Sequence, residues 1–183
     1  MQRLNSAWIW PGSVVVGDVE LGEDTNVWPF VSIRGDVAPI RVGKRCSIQD
    51  QVTLHCRHTV PLEIGDDVVV GHQACVHCRR VEDGALIGIG AKVLDNAIVG
   101  EGALVAAGAV VTPGTIVEAG MVYAGVPAKP LRPVSDQERE WHYAVVARYV
   151  DLARNACSSG PRPGVEASAY PTKSSPAGSC GIG

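Results

Sequence analysis

The sequence predicts an all-β chain, a parallel β-helix built from six-residue repeats, followed by one C-terminal α-helix. Two observations predict it. An aliphatic residue recurs every six positions, most regularly at Val81, Ile87, Val93, Val99, Val105, Val111 and Val117. The chain holds 21 glycines against one Phe and four Tyr, so its core must come from many small aliphatic units. A period of six fits neither an amphipathic helix nor an alternating strand over this length. It fits a short strand and a tight corner, repeated.

The same spacing runs upstream through Val15, Leu21, Val27 and Ile33, then Val42, Ile48 and Leu54, then Ile64, Val70 and Val76. Glycine often follows the aliphatic residue (Gly22, Gly43, Gly65, Gly71, Gly88, Gly100), where it would ease the bend. Two places before it the residue is small, as at Ala85, Ala91, Ala97, Ala103 and Ala109. Three hexads make one triangular coil, so residues roughly eighteen apart stack about 4.8 Å above one another. The register breaks in three places: three residues too many between Ile33 and Val42, four too many between Leu54 and Ile64, one missing between Val76 and Val81. The two insertions predict loops at Asp36–Pro39 and around Arg57–Pro61, and loops on a rigid scaffold are where sites tend to sit. The β-helix is expected over residues 1–133. Ser135 and Glu138 form a capping box that opens a helix over 134–157. Trp141, Val145, Tyr149 and Leu152 share one face of it, expected to pack on the coils. Residues 158–183, rich in Ser, Gly and Pro, are expected to be a disordered tail.

Composition excludes several functions. A net charge of −3 with no basic cluster does not suit nucleic acid. No apolar run approaches membrane-spanning length. Residues 1–11 lack the apolar stretch of a secretory signal. Six cysteines without an export signal are most simply reduced thiols in the cytoplasm.

Stacking brings distant residues together. With the insertions removed, Ile33, Leu54 and Val76 share a column, and the residues after them form a second: Arg34, His55 and His77. Ile48 stacks on Val70, which sets Gln49 over Gly71 and Asp50 over His72. Two stacked imidazoles can converge on one ion, and zinc takes neutral imidazole nitrogens in a tetrahedral set. His72 lies around the corner from the pair, so a cyclic homotrimer would let it reach the pair of a neighbouring chain. Cys75 and Cys78 make a lone CxxC that interrupts the repeat, which argues against a zinc or redox role. Cys56 and Cys78 fall in one column and could pair if oxidised; the expectation is free thiols lining the site.

Arg34-Gly35-Asp36, Ser47-Ile48-Gln49-Asp50 followed by His55, Val70-Gly71-His72 with His77, and Tyr123-Ala124-Gly125-Val126-Pro127-Ala128-Lys129 together resemble the gamma-class carbonic anhydrases and their close relatives. The resemblance runs from about Trp10 through the C-terminal helix. It implies a left-handed coil and a zinc or iron(II) centre on His55, His72 and His77, with His72 donated across a subunit interface. It implies that Gln49 hydrogen-bonds the metal-bound water or bicarbonate, that Arg34 pairs with Asp36 and Asp50 near the interface, and that Tyr123 lies near the substrate. The implied reaction is reversible hydration of CO₂ to bicarbonate by hydroxide generated at the metal. Two departures stand out. Val37 occupies a position where archaeal-type enzymes carry Glu, and Cys56-Arg57-His58-Thr59 replaces their acidic loop. His58, with an imidazole suited to neutral pH, is then the candidate proton shuttle. The alternatives are an acyl-CoA thioesterase or acyltransferase on the same scaffold, and a metal-binding trimer without catalysis.

Overall fold

The aliphatic hexads become the inward rows of a parallel β-helix. The computed structural model describes residues 2–4 and 6–158. Its strands stack into three faces. The first runs through Ala7–Ile9, Asn26–Val27, Ser47–Ile48, Val69–Val70, Leu86–Ile87, Leu104–Val105 and Met121–Ala124. The second and third are joined by two long paired strands, Val14–Leu21 and Ser32–Val42. From Ser32–Val42 the second continues through Thr53–His55, Cys75–Val76, Lys92–Val93 and Val110–Val111. The third continues through Leu62–Ile64, Arg80–Val81, Ile98–Val99 and Ile116–Val117. Leu86 lies opposite Leu104, Val93 opposite Val111 and Val99 opposite Val117, the expected eighteen-residue repeat. Sixteen of the seventeen aliphatic positions are buried, and Val15 is partly so. The five alanines two places ahead are at most 1% exposed, so the small residue is a core requirement.

The glycines after the aliphatic residue have a different purpose from the one expected. A Cβ on Gly22 would lie 2.4 Å from the Gly43 carbonyl oxygen, and one on Gly88 would lie 2.5 Å from the Ala107 nitrogen. They permit close approach of successive coils. The bend falls three residues before the aliphatic position, where Gly84, Gly90, Asn96, Gly102, Gly108, Gly114 and Gly120 all have positive φ. Upstream the same left-handed corner is taken by Asp24, Phe30, Arg45, Gln51, Asp67 and Gln73. Side chains there cost backbone energy that glycine avoids.

The first expected loop is not a loop. Asp36–Pro39 stays inside the strand Ser32–Val42, and the extra residues form a bulge where Gly17 and Val19 face Gly35 and Ile40. Pro39 has no N–H to lose from the ladder, which suits it to a bulge. The second insertion does leave the sheet. It turns through the Val60 N–H donating to the Arg57 carbonyl at 3.0 Å, and the Thr59 N–H reaches the Val37 carbonyl at 3.5 Å. The two insertions are therefore neighbours.

The helix spans Asp136–Ser158 and begins with the expected capping box. The Glu138 N–H donates to Ser135 Oγ at 3.3 Å, and the Ser135 N–H to Glu138 Oε2 at 2.9 Å. Arg132 grips both Glu138 oxygens at 2.8 and 2.9 Å, which holds that carboxyl far below the usual range. The buried stripe is only partly the expected one: Val145 and Tyr149 are half-buried, Tyr149 edge-on against Trp28, but the deepest residues lie on a neighbouring stripe. His142, Val146, Val150 and Ala153 are at most 6% exposed, whereas Trp141 and Leu152 are 57% and 42% exposed. Both stripes are apolar at helical spacing, and the helix lays its smaller residues against the coils. Arg154 pairs with Asp24 at 2.6 Å, and the His142 Nε2–H donates to the Asp67 carbonyl at 2.8 Å. Antiparallel strands Gln2–Leu4 and Lys129–Pro133 extend the two ends of the first face, which the hexad does not foretell. No described helix is long and apolar enough to cross a membrane. The expected tail, beyond Ser158, lies outside the described residues.

Candidate metal centre

On the second face Arg34 lies opposite His55, and Leu54 opposite Val76 sets His55 beside His77. The imidazole rings are 5.1 Å apart and tilted by 42°. His55 Nδ1 faces His77 Nε2 at 3.1 Å. The outer nitrogens face carboxylates: His55 Nε2 meets Asp36 Oδ1 at 2.9 Å, and His77 Nδ1 meets Asp95 Oδ1 at 2.5 Å. Arg34 completes the row with Asp36 at 2.7 Å. The hydrogen bond from His55, reinforced by the Arg34 charge, holds the Asp36 carboxyl below its ordinary value.

Counting protons along this row is informative. Carboxylate oxygens only accept, so the two outer ring nitrogens must both carry protons. A neutral imidazole has one N–H, and each is now spent. His55 Nδ1 and His77 Nε2 are left as two bare lone pairs 3.1 Å apart. Such a contact needs a cation, either one more proton or a metal ion. Two nitrogens bound at about 2.0–2.1 Å to one tetrahedral zinc would lie roughly 3.3 Å apart. The pair fits.

His72 occupies the corner between the first and second faces. Its Nδ1 is 3.0 Å from Asp50 Oδ2, which leaves Nε2 free. Each of the three histidines therefore has one carboxylate partner, the arrangement that fixes tautomer and ring orientation in metal-ligating histidines. Among the described residues no single-chain group of three or more His, Cys, Asp or Glu could hold a metal. His72 indeed stands apart from the pair. It lines a groove of about 540 Å³ with Gln49, Ile89, Trp141 and Tyr149. Gln49 is 6% exposed and its Oε1 accepts the His72 N–H at 3.3 Å, so its amide nitrogen remains the available donor.

Other expected residues are placed differently. Arg34 pairs with Asp36 as expected, whereas Asp50 pairs with His72 and not, within one chain, with Arg34. Tyr123 is 5% exposed, three strands along the first face from Val70, with its hydroxyl on the Ile116 carbonyl at 3.4 Å. Within one chain it does not join the histidines. His58 is exposed on the second insertion. Cys56 and Cys78 do not line the site: they are at most 2% exposed and point into the core, donating to the Ala38 and Arg80 carbonyls. Burial raises both thiols, Cys78 to about 12. Cys75 and Cys78 are free. Asp95 was missed by stacking, because the missing residue after Val76 puts Leu94 in register with His77. Its signal is plain spacing, eighteen residues after His77.

Residues 80–113 match the family model for the bacterial transferase hexapeptide (six repeats). A probable carbonic anhydrase of Methanocaldococcus jannaschii is 46% identical over 142 residues, covering 78% of this chain and 89% of the relative. The mitochondrial gamma carbonic anhydrase 2 of Arabidopsis thaliana is 38% identical over 153 residues, 80% of this chain and 55% of the longer plant protein. A solved hexapeptide transferase family protein from Anaplasma phagocytophilum superposes with a TM-score of 0.78 at 34% identity, covering 82% of this chain and 89% of that one. The repeat, the paired histidines and these likenesses together make the chain a member of the gamma-class carbonic anhydrase family of hexapeptide-repeat proteins.

Proposed function

We propose that the protein hydrates CO₂ reversibly to bicarbonate, using a divalent metal held at the interfaces of a homotrimer. His55 and His77 of one chain would hold the ion together with His72 of the next. The observation that carries this reading is the 3.1 Å approach of His55 Nδ1 to His77 Nε2, with a carboxylate on the outer nitrogen of each ring, an arrangement that by proton counting leaves both inner nitrogens bare. Zinc or iron(II) bound there supplies Lewis acidity, which brings deprotonation of water close to neutral pH.

The chain's own residues do the rest. Gln49, its oxygen engaged by the His72 N–H, offers its amide N–H to an oxygen of water or bicarbonate. Arg34 keeps Asp36 ionised and aimed at His55. Asp50 orients His72 from the neighbouring chain's own corner. His58 lies on the insertion that touches the Val37 carbonyl, next to Asp36, and carries the released proton to solvent. Tyr123 has no part in this scheme. Exposed Ile89 and Trp141 line the His72 groove, and exposed Phe30 stands two coils away in the same row of corners; together they give a neighbouring chain apolar surface to bury. Cys46, Cys56, Cys75 and Cys78 are free thiols, which suits a reducing, cytoplasmic setting.

Acyl transfer is the second reading, favoured by the transferase description of the matching family model. A transferase base needs one histidine with a free nitrogen, which His72 alone would supply; that reading leaves the opposed nitrogens of His55 and His77 without a purpose. Stopped-flow CO₂ hydration by zinc- and iron(II)-loaded protein, with acyl-CoA hydrolysis run alongside, separates the two. Hydration abolished by His55→Ala is expected. Acyl-CoA turnover without any hydration would reject the proposal.

A further inference from the structure

We infer that Asp95 is a positioning residue of this metal centre: by accepting the His77 Nδ1–H, it keeps His77 Nε2 bare for the ion. The inference rests on reading His77 as a ligand. Asp95 stands on the coil below His77, in the corner formed by Asp95 and Asn96, where Asn96 has φ of 59°. The Asp95 carbonyl accepts the Gly114 N–H at 2.8 Å, so the next coil fixes the main chain from which the carboxylate projects. The carboxylate reaches back eighteen residues to His77 at 2.5 Å, and is itself 41% exposed.

Removing this acceptor changes which arrangement of the pair is cheapest. Without Asp95, His77 can carry its proton on Nε2 and donate it to His55 Nδ1, while His55 keeps its own proton on Nε2 and donates it to Asp36. Both histidines are then neutral and every contact is satisfied without a metal. The ion must break that bond and shift the proton before it can bind. Asp36 and Asp95, at opposite ends of the row, thus have the same task for His55 and His77. Loss of such an outer partner commonly weakens metal binding by about 10- to 100-fold.

The test compares wild type, Asp95→Ala and Asp95→Asn at pH 8. Zinc affinity is measured by competition with a chromophoric chelator, and the His77 tautomer by nitrogen-15 NMR of metal-free protein. The amide oxygen of Asn can still accept, so Asp95→Asn is expected to stay within a few-fold of wild type. Asp95→Ala is expected to lose about 10- to 100-fold and to move the His77 proton from Nδ1 to Nε2. Wild-type affinity in Asp95→Ala, equal losses in both variants, or an Nε2–H tautomer in wild type would each overturn the inference. If His77→Ala binds zinc as well as wild type, the ligand assignment itself fails, and that result is distinct from the others.

Discussion

If His55 and His77 serve one side of a shared site and His72 the other, two defective chains should repair each other. His55→Ala leaves the His72–Asp50 pair in place, because His55 is bonded to Asp36 and His77 on the second face while His72 and Asp50 pair at the corner. His72→Ala likewise leaves the 3.1 Å pair and its two carboxylates intact. Each site takes its pair from one chain and its third ligand from the next. In an equal random mixture, the pair is whole with a chance of about one half, and so is the third ligand. About a quarter of the sites are therefore restored. Each pure variant should hold little metal, since two ligands bind far more weakly than three. Mixing His55→Ala with His77→Ala should restore nothing, because both lesions fall on the same side. The assay is bound zinc per chain after co-refolding and desalting, which reads the site without depending on catalysis. Equal recovery from both mixtures, or from neither, would refute the divided site.

Ile48 is fully buried between Val27 and Val70, so Ile48→Ala should cost about 2–5 kcal/mol. Calorimetry should show Tm falling by roughly 5–20 °C, and a loss of a degree or two would mean that the coils collapse around the gap. Ser135→Ala removes the cap of the helix and should cost about 1 kcal/mol, measured by urea unfolding. Burial lowers the pKa of His142, whose Nδ1 has no partner and whose Nε2–H is committed to the Asp67 carbonyl. The unfolded chain therefore binds the proton more readily. Stability should be full above the ordinary histidine range and fall as pH drops through it towards the lowered value. Urea midpoints at pH 7 and pH 5 should differ less in His142→Gln than in wild type, and an unchanged difference would assign the acid sensitivity elsewhere.

The core and the histidine pair were legible because both follow from one number. A period of six decides which residues point inward, and once the insertions are subtracted it also decides what stacks on what. Information was lost where sequence carries no periodic mark. Phe30, Gln51 and Gln73 take left-handed corners although nothing in their chemistry announces it. Helical spacing gives two apolar stripes, and only packing chooses Val146 and Val150 over Trp141 and Leu152. Asp36–Pro39 counts as an insertion whether it loops out or stays extended as a bulge. Asp95 stayed hidden because its carboxylate reaches diagonally, one position away from the residue in register with His77.

Solenoids are prone to fray, since each coil touches only its neighbours and the outermost can peel away alone. The helix removes that freedom. Its Arg139 end is anchored through the Val134 carbonyl to the coil of Gly120, while Arg154 grips Asp24 on the coil at the opposite end. The corners from Asp24 through Arg45, Asp67, Gly84 and Gly102 to Gly120 are five steps, about 24 Å of stack. Arg139 to Arg154 is about 22 Å of helix. The helix is a ruler cut to one number of coils. An inserted or deleted coil would leave its two anchors out of reach, and the ends of the stack should melt together with its middle.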